Sequence, residues 1–121
     1  SGPLIDRLDL IIEVPAVHVE TLQNAPDGEK SAVVKERVMN ARNNQIKRQQ
    51  KTNAHLSTKE MGIFCAPNAE GEALLRQAMN RLKLSARAYH RILRVARTIS
   101  DIANSADILP MHIAEAIQYR R

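Results

Sequence analysis

The sequence predicts an all-α fold: a helical bundle of four to five helices, with an extended arm at the N-terminus. The segments after residue 30 have the apolar spacing of amphipathic helices, and residues typical of helix starts precede several of them. Only one short segment alternates as a strand does. Hydrophobic residues form 44% of the 121 residues, which is enough for one folded domain with its own core.

The arm contains the segment that resembles a strand. Residues 8–14 alternate with a period of two around Leu10, and Pro15 ends the pattern. Nothing later in the chain has the pattern of a partner strand, so we expect its sheet to lie outside this chain. Residues 16–30 contain turn-forming residues without sustained periodicity and predict a linker.

The first helix is expected at about residues 31–50. Val34, Val38, Ala41 and Gln45 form a thin stripe along it, and basic side chains flank the stripe. A short second helix should follow, because Ser57 and Glu60 have the spacing of a capping box.

Three further helices are predicted from their first residues. Pro67 ends the second helix, and Asn68 then caps the third. Ser85 caps the most regular segment, whose apolar face runs from Tyr89 through Ile92, Leu93, Ala96 and Ile99 to Ala103. Pro110 suits the first position of the last helix.

Composition restricts the partners and the compartment. A formal net charge of +5 permits an anionic partner such as nucleic acid, but aromatic residues are only 2%, too few for a base-stacking surface. The longest aliphatic run is far shorter than a membrane helix, so no membrane partner is expected. Cys65 is the single cysteine and the N-terminus has no signal-peptide pattern, which favours the cytoplasm.

The helix after Ser85 has the most distinctive charge pattern. At about 100° per residue, Arg87, Arg91 and Arg94 lie within about 60° of one another and opposite the apolar face, with Arg97 at the edge. Guanidinium groups bind phosphate oxygens in a bidentate way, so the stripe is a candidate site for a nucleotide or a nucleic-acid backbone. A solvated face with ion pairs to its neighbours is the alternative.

Arg87 differs from the other arginines by its position. It lies in the first turn after the Ser85 cap, where free amide groups and the positive end of the helix dipole also favour an anion. On the basic first helix, Lys47 and Arg48 are further candidates for nucleic-acid binding, although such a helix is more often a solvated face.

Motifs for independent catalysis are absent. The sequence contains no phosphate loop, no glycine-rich dinucleotide turn, no nucleophile elbow and no HExxH pair, so this chain alone should not be an enzyme. The four histidines are widely separated and predict no metal site. Cys65 is interpreted as a packed thiol.

Long segments of the chain resemble a known family. LSARAYHRILRVARTI at 84–99 and AEAIQYR at 114–120 resemble the C-terminal part of bacterial magnesium-chelatase-like AAA+ ATPases, most closely the competence-associated ComM/YifB group. PLIDRLDLIIEVP at 3–15 resembles the end of their ATPase core, and the likeness covers essentially the whole chain.

The resemblance implies a domain organisation and two site residues. Residues 1–15 would end the ATPase core, 16–30 would be a linker, and 31–121 would form a helical lid domain with an inserted helix at about 31–50. Arg87 matches the sensor-2 arginine, which contacts the terminal phosphate of ATP. Arg7 matches the arginine finger offered to the ATP of a neighbouring subunit.

The resemblance also implies what the complete protein binds. ATP, Mg²⁺ and DNA would bind the complete protein, and no cofactor is expected in this fragment. The partners of the fragment would be the ATPase core of the same protein and neighbouring subunits of a ring expected to be a hexamer. Such a protein would act as a branch-migration helicase in natural transformation. Three alternatives stay open: a stand-alone basic module that binds nucleic acid, the lid of a true magnesium-chelatase subunit, and a protein-interaction bundle.

Overall fold

The computed structural model describes residues 30–119 without a gap and, outside that range, Leu10, Val14 and Gly28. Within these residues the chain forms five α-helices and no strand, which confirms the predicted all-α bundle. The helices are α1 (Ser31–Gln49), α2 (Thr58–Phe64), α3 (Ala69–Leu82), α4 (Ala86–Ile102) and α5 (Pro110–Gln118), and a short 3₁₀ turn (Asn53–His55) lies between α1 and α2. The predicted strand at 8–14 and the linker at 16–30 fall almost entirely outside the described residues, and the domain boundaries stay predictions.

The predicted capping box at the start of α2 is confirmed. The Ser57 hydroxyl accepts the N–H of Glu60 at 3.2 Å, and the Glu60 carboxylate accepts the N–H of Ser57 at 2.9 Å. Lys51 donates to the same carboxylate at 2.8 Å. The hydrogen bond from Lys51, with those from Ser57, lowers the pKa of Glu60 to about 2.

The other predicted helix starts are confirmed as well. The Asn68 side chain accepts the N–H of Gly71 at 2.8 Å, and the Ser85 hydroxyl accepts the N–H of Ala88 at 3.1 Å. Pro110 is the first residue of α5. These starts are determined locally, because each cap uses residues within three positions along the chain.

The core lies around α4, which packs against α1, α2, α5 and the 3₁₀ turn. Ile92 of α4 is 2% exposed, and it shares one apolar cluster with Met61, Leu75, Ile108 and Ile113. Ala103 was expected on the core face, but it follows the last turn of α4 and is exposed.

The two halves of α1 have different surroundings. Every residue from 31 to 40 is exposed, whereas the second half buries Ala41, Gln45 and Gln49. Val34 and Val38 of the predicted stripe are 40% and 54% exposed. The helix therefore extends past the bundle for about 15 Å of its length. None of the helices in the described part of the chain is long and apolar enough to cross a membrane.

Candidate functional site

Arg87 lies at an open helix start. Ser85, Ala86 and Arg87 are all exposed. The first backbone hydrogen bond of α4 runs from the N–H of Tyr89 to the carbonyl of Ser85 at 3.0 Å, so the amides of Ala86 and Arg87 precede the hydrogen-bonded part of the helix. The side chain and the amide groups are thus accessible to an anion from outside the bundle.

His90 contacts the first turn of α4 in two ways. Its Nδ1 lies 2.9 Å from the carbonyl oxygen of Ala86, so this nitrogen carries the proton and donates it. The His90 ring meets the Tyr89 ring edge to face, with 5.4 Å between centroids and 88° between planes. These contacts fix the ring against the helix beside Arg87.

The structure does not leave the predicted arginine stripe exposed, and phosphate binding by its members stays a prediction. Arg91 and Arg97 are only 7% and 4% exposed, and Arg94 is half-buried. The reason is that neighbours cover α4 on several sides, including α1, which packs on part of the side that the sequence assigns to solvent. Only Arg87 of the four is exposed.

Arg97 is a structural side chain. Its terminal nitrogens donate to the carbonyls of Ala106 and Ser105 at 3.1 Å and 2.9 Å, and one of them lies 3.2 Å from Asp101. Burial lowers the pKa of the Arg97 guanidinium, and the Asp101 carboxylate opposes this shift. Both terminal nitrogens already have partners, which leaves little for a phosphate to bind.

Arg94 borders a mostly apolar groove of about 490 Å³, together with Thr98, Glu115 and Tyr119. Its terminal nitrogen lies 3.5 Å from the sulfur of Met61. Its Nε is buried and has no hydrogen-bond partner within the described residues. Arg94 therefore lines a groove and is not fully exposed to solvent. Its proposed contact with phosphate stays a prediction.

Arg48, a candidate for nucleic-acid binding from the sequence, pairs with a carboxylate of the protein. Its two terminal nitrogens reach the two carboxylate oxygens of Asp101 at 2.7 Å and 3.2 Å. The Asp101 side chain is 1% exposed and also accepts from Asn53 at 3.1 Å. With Arg97 on the same carboxylate, Asp101 becomes the centre of a buried polar network that sequence reasoning missed.

Amide side chains extend this network along α1. Gln45 accepts the backbone N–H of Asn53 at 2.9 Å, and Gln49 donates to the Asn53 side chain at 2.7 Å. The buried positions of α1 are thus an alanine and two glutamines, and polar contacts hold the helix on the bundle. Gln45 and Gln49 are four positions apart and continue the line of Val34, Val38 and Ala41 along the helix. This spacing could have indicated that α1 packs on the bundle through polar side chains.

The remaining predicted residues are placed as follows. Lys47 is exposed on α1, and Arg7 lies outside the described residues. Cys65 is fully buried, and burial raises the pKa of its thiol to about 11, as a packed and unreactive cysteine requires. Among the described residues, no three His, Cys, Asp or Glu side chains form a group that could hold a metal ion.

Comparisons with known proteins agree with the resemblance. Residues 28–120 match the family model described as magnesium chelatase, subunit ChlI C-terminal. The chain is 48% identical over 121 residues to the competence protein ComM of Haemophilus influenzae, covering 99% of this chain and 24% of that protein. It is 46% identical over 121 residues to the uncharacterized protein YifB of Escherichia coli, with the same coverages of 99% and 24%. An uncharacterized protein of Mycobacterium tuberculosis is 32% identical over 125 residues, covering 100% of this chain and 25% of the relative. The chain therefore spans about a quarter of the length of these relatives.

Proposed function

Because the chain belongs to the magnesium-chelatase C-terminal domain family, within its ComM/YifB group, we propose that it is the lid of an AAA+ ATPase. In this role it couples ATP binding and hydrolysis by the complete protein to DNA remodelling. The observation that carries the proposal is the exposure of Arg87 in the first turn of α4, directly after the Ser85 cap.

The chemistry of this helix start suits a terminal phosphate. A guanidinium group can bind two phosphate oxygens at once and keeps its charge at any physiological pH. The amides of Ala86 and Arg87 and the helix dipole add to the positive potential at the same place. A cation fixed there stabilises the charge that develops on the phosphoryl group during hydrolysis.

The rest of the nucleotide site would come from the ATPase core of the same protein. This chain contributes Arg87 to its own or a neighbouring subunit's ATP, and Arg7 would act as the arginine finger toward the next subunit. Mg²⁺ would be held with the phosphates by that core, since the described residues offer no group of metal ligands. A ring, expected to be a hexamer in the cytoplasm, would bring these parts together.

DNA is the proposed substrate of the complete protein. One relative is named a competence protein, and the resemblance to its group implies DNA as the substrate. Branch migration by a helicase would use ATP hydrolysis to move paired strands, and lid closure would transmit each hydrolysis step to the ring.

The proposal is tested by ATP turnover of the full-length protein. Arg87→Ala should lower turnover by about tenfold or more, since one well-placed cationic or hydrogen-bonding group is worth a few kcal/mol in a transition state. Arg81→Ala is the matched control, because Arg81 is also an exposed helical arginine but lies at the end of α3. Equal turnover in the wild type and in Arg87→Ala would refute the proposed role.

A further inference from the structure

The exposed surface of α1 carries cationic and amide side chains that have no partner among the described residues. We define the outer face of α1 as Lys35, Asn40, Arg42, Asn43 and Lys47, all of them exposed. At about 100° per residue, Asn40, Asn43 and Lys47 lie about 140° or more from the middle of the line of Ala41, Gln45 and Gln49 that packs on the bundle. Lys35 and Arg42 lie on one flank of that line, so the five side chains cover about 160° of the helix circumference. Lys35 and Lys47 are 12 positions apart, so the outer face extends for about 18 Å along the helix.

These five side chains have no role within the described structure. None of them forms a hydrogen bond or an ion pair there, whereas Arg48, Lys51, Arg76 and Arg97 are all paired with carboxylates. Glu36 is the single acidic residue of α1. The outer face of α1 therefore carries an excess of unpaired positive charge.

The position of α1 on the bundle makes its outer face accessible to a large partner. The first ten residues of α1 stand clear of the bundle, so nothing in the described structure covers them. The network around Asp101 anchors the other end, with Arg48 held at 2.7 Å and 3.2 Å from the carboxylate. A rigid helix fixed at one end presents its charges at constant spacing.

We infer that the outer face of α1 binds the phosphate backbone of duplex DNA. Lysine and arginine neutralise phosphates, and asparagine amides donate to phosphate and sugar oxygens, which are the commonest contacts of proteins with DNA. The inference rests on the proposed function in so far as DNA is the substrate, and it assigns the contact to a surface remote in sequence from Arg87.

Two other kinds of partner, single-stranded nucleic acid and another protein, fit this face less well than duplex DNA. Single strands are held by aromatic stacking, and α1 contains no aromatic residue. Protein interfaces are enriched in aromatic residues and depleted in lysine, the reverse of this composition. Met39 and Ile46 also lie on this side and add small aliphatic contacts between the polar groups.

The experiment measures binding of a fluorescein-labelled 20-base-pair DNA duplex to the 121-residue chain by anisotropy at several salt concentrations. The triple variant Lys35→Gln, Arg42→Gln, Lys47→Gln should bind at least tenfold more weakly at low salt. Its slope of log K against log salt should be shallower by about 2 to 3, because each lost phosphate contact removes about 0.9.

The matched control removes three exposed positive charges elsewhere, through Lys59→Gln, Arg76→Gln and Arg81→Gln. It should change affinity less than threefold. Equal losses in both triples would mean that only net charge matters and would overturn the assignment. No binding by the wild type at low salt, tighter binding of the single strand, or equal competition by a polyglutamate peptide would also overturn it.

Two further measurements distinguish the loss of a DNA contact from unfolding and from failure of the role proposed for Arg87. Lys35→Gln alone lies in the half of α1 that packs on nothing in the described structure, so it tests the face without risk to the fold. ATP turnover of the full-length protein with the outer-face triple, measured without DNA, should equal that of the wild type. A failed DNA contact would thus leave the role proposed for Arg87 intact.

Discussion

Asp101→Ala should destabilise this protein more than any exposed substitution, because it removes the carboxylate that α1, the 3₁₀ turn and α4 share. Asp101 accepts from Arg48 at 2.7 Å and 3.2 Å and from Asn53 at 3.1 Å, and it lies 3.2 Å from Arg97. Its own side chain is 1% exposed.

The size of the effect follows from what the two arginines can do afterwards. The Arg48 side chain is 24% exposed and can turn toward solvent, but the Arg97 side chain is 5% exposed and stays buried with its charge uncompensated. Removing one partner of a buried ion pair costs about 3 to 5 kcal/mol. In a domain of this size, 1 kcal/mol shifts Tm by about 4 to 8 °C, so Tm should fall by about 12 °C or more.

Thermal and urea unfolding followed by far-UV circular dichroism measure this loss. Asp107→Ala is the control, since Asp107 is exposed and its side chain takes no part in the network. Asp101→Asn keeps the shape but not the charge and should retain part of the stability. A loss below about 1 kcal/mol for Asp101→Ala, the value of a surface pair, would refute the account of how α1 is held.

Two further predictions concern a glycine pair and the capping box. A Cβ at Gly62 would meet nothing within 4 Å, so Gly62→Ala should stabilise the protein by about 0.5 to 1 kcal/mol in urea unfolding. A Cβ at Gly71 would lie 3.0 Å from the Asn68 side-chain oxygen and 3.3 Å from the carbonyl of Ile108, so Gly71→Ala should destabilise it; a gain equal to that of Gly62→Ala would contradict this packing. The pKa of Glu60 is lowered from 4.5 to about 2, so its contribution to stability is complete above pH 4.5 and is lost as pH falls toward 2. The difference in unfolding free energy between wild type and Glu60→Gln should therefore shrink across that window, and a difference that does not depend on pH would contradict the assignment.

The helix starts could be predicted from the sequence because their causes are local. Ser57, Asn68 and Ser85 each accept a hydrogen bond from a residue three positions later, and Pro110 is fixed by its own ring. The position of Arg87 in the first turn of a capped helix follows from the same local signals, but its exposure depends on how the bundle packs, since Ala88 in that turn is only 2% exposed. No tertiary information is needed for the helix starts themselves.

The burial and the ion-pair partners of the other arginines could not be predicted from local sequence. Arg48 and Asp101 are 53 residues apart, and Asn53 and Asp101 are 48 apart, so their pairing depends on how α1 docks on α4. Helical periodicity gives the direction of a side chain but not what covers it. Arg97 was placed at the edge of a solvated stripe for this reason, and the structure buries it.

The most direct test of the central claim compares nucleotide affinities of the full-length protein. If Arg87 meets the terminal phosphate, Arg87→Ala should weaken binding of a non-hydrolysable ATP analogue by about 10- to 100-fold, the value of one charge-assisted hydrogen-bonded contact. Binding of ADP, which lacks that phosphate, should change by less than about threefold. Equal affinities of Arg87→Ala and wild type for the ATP analogue, or equal losses for both nucleotides, would contradict the account.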